Sequence, residues 1–458
     1  MPTETFIKRS RIPVPAEFLF DWHARPGAFQ RLIPPWESVS MSEMSHGITN
    51  GSRGEIRIES GPIRLKWIAE IQNVEPGRQF QDVQISGPFA SWTHTHKMIP
   101  EGEHACILED SIEFKLPLGA VGRWGGRGLV RRKLERLFNY RHRITRDDVT
   151  AIYQQGQFRE SGPMKILVSG LSGLVGGELG AFLTTAGHEV VGLSRSPGST
   201  DIGWKPLEGE IDRDGISGVD AVVHLAGENI AKRWNDKQKR LIRDSRVLGT
   251  RLLSETLADM ETPPKVLVCA SAIGYYGDRG EEVLTEASEP GEGFLAETCQ
   301  EWEDACQPAR EKGIRVVNLR IGVILSPKGG ALAKMLLPFK MGLGGKIGSG
   351  NQYWSWIALD DVVGTIHHAI ATLELSGPVN GTAPNPSTNL EFTKTLGKVL
   401  SRPTVFPMPK FAARLALGEM ADDLLIASTR VQPERLKQTN YPFRFPELEP
   451  ALRHLLGK

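Results

Sequence analysis

A chain of 458 residues exceeds one ordinary core and implies two or three domains. With 40% hydrophobic and 24% charged residues it describes a globular protein, and a net charge of +1 removes any global electrostatic reason to bind nucleic acid or an anionic membrane. Cys106, Cys269, Cys299 and Cys306 form neither a Cys-x-x-Cys pair nor a zinc spacing, no apolar run is long enough to span a bilayer, and the polar start is no signal peptide, so a reduced, cytoplasmic setting is expected.

Phe6 to Arg11 reads as a strand and Pro13 to Trp22 as a helix with Pro15 near its first turn. A second short helix, Gly27 to Ile33, is stopped by Pro34 and Pro35. The hydrophobic period then falls to two: Ile56 and Ile58, then Ile63, Leu65, Trp67, Ala69 and Ile71, alternate with mostly polar residues, as in antiparallel strands with one buried face. Further strands are expected at Phe80 to Ile85, Trp92 to Ile99 and Ile107 to Leu116. A helix closes the region, with Val130, Leu134, Leu137, Phe138 and Arg141 on one side and Arg131, Arg132, Lys133 and Arg136 mainly on the other, a solvated basic face. His94 and His96 share one strand face, with His104 and His142 elsewhere. No carboxylate or cysteine joins them at ligand spacing, so no metal site is expected.

Helix pair, antiparallel strands and long final helix, with Gly87-Pro-Phe-Ala-Ser-Trp-Thr-His94, Glu109-Asp110 and Phe138-Asn-Tyr-Arg-His142, resemble the START and polyketide-cyclase-like superfamily. The resemblance implies an α+β helix-grip domain over residues 1–150, whose cavity would hold an apolar ligand such as a lipid, isoprenoid or aromatic molecule. A filled core that binds nothing is the alternative. Residues 151–163 lose periodicity and read as a linker.

Lys165 to Ser169 then reads as a buried strand, followed by a turn of Gly170, Leu171, Ser172, Gly173, Leu174, Val175 and Gly176 that opens a helix. Glycines at this spacing permit a tight turn and close approach of backbone amides to a pyrophosphate at a helix N-terminus, the pattern of a dinucleotide-binding unit. The next strand ends in Ser194 and Arg195. An acidic residue there would suit ribose hydroxyls, whereas arginine suits a 2′-phosphate, so NADP(H) is expected in preference to NAD(H). Alternating strands and helices follow: Val219 to Leu225, Asp236 to Met260, Lys265 to Ser271, Phe294 to Lys312 and Ile314 to Arg320. They predict a doubly wound parallel sheet. The glycine-rich stretch Gly342 to Gly350 lacks Gly-Lys-Ser/Thr and suggests a mobile substrate-side lid rather than a second phosphate loop.

Together with Leu225-Ala-Gly-Glu-Asn229, Arg233-Trp-Asn235, Asp244-Ser-Arg246, Ser271-Ala-Ile-Gly-Tyr-Tyr-Gly277, Trp302-Glu303, Arg320-Ile-Gly-Val-Ile-Leu325 and Gly329 through Asp361, these motifs resemble an atypical extended short-chain dehydrogenase/reductase family, the NAD-dependent epimerase/dehydratase-like or sugar-nucleotide epimerase-like proteins. The resemblance implies an α/β fold of Rossmann type over residues 164–383 and a C-terminal substrate-side lobe over 384–458. It implies an NADP(H) site lined by the glycine turn, Ser194, Arg195, Leu225, Ala226, Gly227, Arg246, Ser271 and Arg320. An exposed helix arginine is the alternative for Arg246.

Such enzymes usually pair a tyrosine with a lysine four residues later, the lysine lowering the tyrosine pKa. Here the corresponding stretch, Gly293 to Trp302, contains neither. Ser271, Tyr275 and Tyr276 are the remaining catalytic candidates; Glu303 would qualify if buried. Two functions follow: hydride transfer on an unidentified small-molecule substrate, or a catalytically silent NADP(H)-binding sensor. Neither requires an oligomer, and a homodimer stays open.

Overall fold

The computed structural model describes residues 3–41, 47–60, 63–117, 119–157, 162–198 and 201–458. It divides into two compact units, largely residues 1–160 and 161–458. The first contains β1 (Glu4–Ile12), α1 (Ala16–Ala24), α2 (Ala28–Arg31), β2 (Ser38–Met41), β3 (Arg53–Ser60), β4 (Ile63–Glu75), β5 (Gln79–Ser86), β6 (Ser91–Pro100), β7 (Cys106–Lys115) and α3 (Gly119–Gln157). Its strands form one antiparallel sheet in the order β1-β7-β6-β5-β4-β3-β2.

Period-two alternation orients that sheet. In β6, Trp92, His94, His96 and Met98 are buried while the residues between them are not. Phe6, Trp92, Ile112, Phe114 and Leu116 pack against Leu134 and Phe138 of α3, so the expected apolar helix face is the one that docks. Phe6 and Phe138 rings stand 5.6 Å apart and those of Trp67 and Trp92 5.0 Å. The space between Phe6, Phe114, Arg127, Arg131 and Leu134 measures only about 10 Å³, which holds at most one water. Arg31 of α2 is tied to Asp148 of α3 by two hydrogen bonds, 2.8 and 3.1 Å, with both side chains buried. Helix α3 continues through residues 151–157, where the polar sequence suggested the start of the linker; tertiary packing of Ile152 overrides the loss of periodicity. Residues 158–161 of the expected linker lie outside the described residues.

The second unit contains β8 (Lys165–Ser169), α4 (Leu174–Thr185), β9 (Glu189–Ser194), β10 (Ile202–Lys205), β11 (Glu210–Ile211), β12 (Ala221–His224), α5 (Asp236–Ala258), β13 (Val266–Ala272), β14 (Val283–Leu284), α6 (Phe294–Asp304), α7 (Gln307–Glu311), β15 (Arg315–Ile321), β16 (Val323–Leu325) and α8 (Gly330–Lys340). There follow β17 (Tyr353–Trp354), β18 (Trp356–Ala358), α9 (Leu359–Ala371), β19 (Gly377–Gly381), β20 (Ser387–Thr388), α10 (Asn389–Leu400), α11 (Lys410–Leu417), β21 (Arg430–Val431), α12 (Glu434–Gln438) and α13 (Leu448–Leu456). Its main sheet runs β11-β10-β9-β8-β12-β13-β15-β19, parallel throughout except for the β10-β11 pair. Strand order reverses between β8 and β12, which opens a crevice above their carboxyl ends.

The helix expected from Phe294 to Lys312 is two helices, because Pro308 in the first turn of α7 cannot donate to a continuing helix. Residues from 384 onward do not build their own core. Phe392, Leu396, Phe445 and Leu452 share one with Leu325, Leu332, Trp354 and Trp356. Among the described residues, no helix is long and apolar enough to cross a membrane.

Candidate functional site

The glycine turn lies at the strand-order reversal. Gly170 has φ +76°, and a Cβ there would stand 3.1 Å from the backbone nitrogen of Ala226. At Gly176 a Cβ would fall 2.1 Å from the Gly170 carbonyl oxygen, so only glycine lets α4 begin this close to β8. Ser172 and Gly173 are exposed at the N-terminus of α4, flanked by the part-buried Leu171, Leu174 and Val175. Across the crevice the Ser169 hydroxyl accepts from the backbone N–H groups of Leu225 and Ala226 at 3.1 and 3.2 Å. That leaves its proton for His224 Nδ1, 2.6 Å away, so the imidazole proton sits on Nε2. Burial, reinforced by the Arg246 charge, lowers His224 to about 4 and keeps it neutral.

Arg246 is no solvated helix residue. It donates to the Ile242 and Glu228 carbonyls, stacks on Trp302 with its Cζ 5.1 Å from the ring, and comes so close to Gly227 that a Cβ there would be 3.2 Å from that Cζ. Arg195 is exposed at the end of β9, beside the half-buried Ser194. The Glu228 carboxyl is held below its ordinary value first by the Lys232 hydrogen bond, with Arg195 adding to the field. The cradle of small residues, the helix N-terminus and the exposed arginine fit a phosphorylated dinucleotide.

The proposed catalytic residues fall on the next strand ends, already engaged with each other. Ser271 donates to Glu303 Oε1 at 2.7 Å, and Arg320 clamps both Glu303 oxygens at 2.8 Å each. Arg320 also donates to the Tyr276 hydroxyl at 3.0 Å, which donates to Asn380 Oδ1 at 2.7 Å. Tyr276 is fully buried, and burial pushes it up to about 12 despite Arg320. Tyr275 lies half-buried, 3.4 Å from ring centroid to the Arg320 Cζ, and burial raises it too. Arg320, expected to reach the cofactor, is itself buried with its guanidinium committed to Glu303 and the tyrosines. Asn380 is not legible in the sequence, since it comes from a Gly-Pro-Val-Asn-Gly segment that resembles a turn rather than the edge strand β19.

In the first unit the ground for expecting no metal site fails. Asp82 on β5 and Asp110 on β7 flank the histidines of β6, with Asp82 opposite His94 and Asp110 opposite His96. Cross-strand pairing supplies the carboxylates that linear spacing hid. Burial alone would lower His94, but the Asp82 and Asp110 carboxylates raise it to about 9, and the imidazoles hold both carboxyls below their ordinary range.

Three family models match the chain: NAD dependent epimerase/dehydratase family over residues 166–380, polyketide cyclase/dehydrase and lipid transport over 12–138, and a domain of unknown function over 408–455. The epimerase family protein Mb2239 of Mycobacterium bovis is 44% identical over 290 residues, covering 63% of this chain and 96% of that protein. The crystal structure of a nucleoside-diphosphate sugar epimerase from Corynebacterium glutamicum matches with TM-score 0.81 and 34% identity, over 99% of this chain and 90% of that one. That of human epimerase family protein SDR39U1 with NADPH matches with TM-score 0.60 and 36% identity, over 64% of this chain and 99% of that one. Glycine cradle, strand order and these likenesses agree: the chain belongs to the NAD dependent epimerase/dehydratase family.

Proposed function

We propose that the second unit binds NADP(H) in preference to NAD(H) and exchanges hydride with a small-molecule substrate, by reduction or by epimerisation through a transient ketone. The observation that carries this is the cradle of Gly170, Gly173 and Gly176 facing Leu225 and Ala226, with Arg195 exposed at the end of β9. The human relative with NADPH supports the cofactor, and the Corynebacterium glutamicum relative supports a sugar nucleotide as substrate class. When bound, the cofactor would supply the hydride donor or acceptor.

The chain's own residues have distinct tasks. Ser172 to Val175 present the helix N-terminus to the pyrophosphate, and Arg195 meets the 2′-phosphate. Tyr276 holds rather than transfers a proton, since its hydroxyl donates to Asn380 and its pKa is far above neutrality. Ser271 is the hydroxyl that remains to orient a substrate alcohol, accepting from it while donating its own hydrogen bond to Glu303. A second reading, the silent NADP(H) sensor, is favoured by the same hydrogen bonds: both Ser271 and Tyr276 already have acceptors. For the first unit, the polyketide cyclase and lipid transport match supports an apolar ligand, whose entry would require the ring cluster around Trp92 and Phe138 to move.

Nucleotide titrations and single-turnover mixing with a panel of carbonyl compounds and sugar nucleotides separate these. Arg195→Ala is expected to weaken NADPH roughly tenfold to hundredfold, the worth of one charged hydrogen bond, and NADH little; equal losses would remove the 2′-phosphate argument. Tight NADPH binding without cofactor oxidation by any of the panel would favour the sensor.

A further inference from the structure

The histidine and aspartate cluster of the first unit belongs to no part of the nucleotide site. It forms a two-by-two grid on the inner face of three adjacent strands. Asp82 Oδ1 stands 3.1 Å from His94 Nδ1 and 3.1 Å from His96 Nε2. One ligand atom from each of Asp82, His94 and His96 lies within 4.8 Å of those of the other two. Ligands bound at about 2.0–2.1 Å to a tetrahedral centre stand roughly 3.3 Å apart, so the grid already has nearly the spacing of a coordination shell.

The other ring nitrogens face Asp110. His94 Nε2 is 2.9 Å and His96 Nδ1 2.8 Å from the same Asp110 oxygen, while the other Asp110 oxygen is 2.7 Å from His142 Nε2. Metal-bound histidines characteristically turn the remaining N–H to a carboxylate, which fixes the ring and raises its basicity. Asp110 does so for His94, to which it is hydrogen-bonded, while His96 Nδ1 stands beside the same oxygen without hydrogen-bond geometry. The two aspartates are not interchangeable: the Asp110 side chain is 5% exposed and shared by three imidazoles, whereas Asp82 is 26% exposed, so further coordination positions open on its side. Phe80 stacks on His96 at 4.2 Å and Phe138 stands edge-on to His94 at 5.2 Å, while the His23 ring lies 6.0 Å from His96 and the Arg141 charge acts on Asp110 and Asp82.

We propose that His94, His96 and Asp82 bind one divalent first-row transition-metal ion, with Asp110 as the outer carboxylate that orients His94 and lies beside His96, and His142 as its support. Two imidazoles and one carboxylate select zinc, iron(II), cobalt or nickel over magnesium and calcium, which demand oxygen donors. The site is independent of the epimerase-type chemistry of the second unit.

The test uses the full-length chain, stripped with a chelator and titrated with Co²⁺. One equivalent is expected to bind with visible d–d absorption, and Zn²⁺ to displace it. Asp82→Asn and His96→Gln should each weaken Co²⁺ at least tenfold, and Asp110→Asn roughly tenfold to hundredfold while keeping the cobalt spectrum, the signature of an outer-shell partner. His104→Ala, on an exposed residue outside the grid, should change nothing. Far- and near-ultraviolet circular dichroism and thermal melting verify that the first unit of each variant is folded. X-ray absorption of the cobalt-loaded wild type keeps the question decidable if the variants fail to fold: a shell of nitrogen and oxygen with imidazole scattering is expected. Absence of stoichiometric binding, a sulfur shell that moves the ion to the cysteines, or undiminished affinity in folded Asp82→Asn would each overturn the proposal.

Discussion

Glu303 holds Ser271 and Arg320 together in the interior, and that makes it the most consequential residue of the strand-end network. Removing one partner of a buried ion pair leaves an uncompensated charge, so Glu303→Gln is expected to destabilise the second unit by about 3 kcal/mol. Urea unfolding would read this as a lower midpoint at unchanged slope; a loss below about 1 kcal/mol would mean that Arg320 finds water or another acceptor. His224 sets a pH dependence. Its folded pKa, about 4, lies below the ordinary 6.5, so the stability it contributes is present above pH 6.5 and is lost as pH falls through 4. The total is about 3 kcal/mol, with a slope of at most about 1.4 kcal/mol per pH unit. His23 and His368, also lowered to about 4 chiefly by burial, add to the wild-type slope. Thermal melts from pH 4 to 7 should therefore show a shallower dependence in His224→Asn, and an unchanged slope would contradict the buried neutral imidazole. Of the two adjacent tyrosines, the sequence could not say which faces the interior, because a short turn has no period to read. The fold decided it through the Asn380 acceptor.

At the scale of elements, the glycine turn was legible because its requirement is local: each glycine is demanded by backbone within a few residues or on the adjacent strand. Gly176→Ala, with its Cβ 2.1 Å from the Gly170 carbonyl, should displace α4, cost roughly 1–3 kcal/mol and abolish nucleotide binding. Gly180→Ala meets only the movable Leu171 side chain at 2.9 Å and should bind normally in the same titration. Near-equal affinities would mean that the turn is more plastic than its contacts imply. The Gly342 to Gly350 loop went the other way. Expected as a mobile lid, it is strapped down: Ile347 N–H donates to buried Asn389 at 2.7 Å, the Gly348 and Met408 backbones are bonded, and Gly345 lies flat on the Phe406 carbonyl. Glycine marks close approach there as much as freedom, and composition does not distinguish the two. Strands β10, β11 and β19 were likewise missed because they are short and contain or adjoin glycine; pairing of β10 with β9, β11 with β10 and β19 with β15, not propensity, makes them strands.

At the scale of the whole molecule, relatives such as Mb2239 are matched over 96% of their length by 63% of this chain, and the family matches at 166–380 and 408–455 lie in the second unit. A chain of residues 162–458 is therefore expected to fold alone and bind NADPH within about twofold of the full-length protein. An insoluble or non-binding product would show that the second unit depends on the first. The sequence by itself determined the two architectures, the dinucleotide cradle and the arginine at its rim, because periodicity, glycine spacing and strand-end residues act over short stretches. Only the tertiary structure decided which hydroxyls are occupied at the strand ends, and that two carboxylates meet two histidines inside the first sheet. Those groups come from different strands and helices, and their chemistry exists only once strand register and packing bring their side chains within hydrogen-bonding distance.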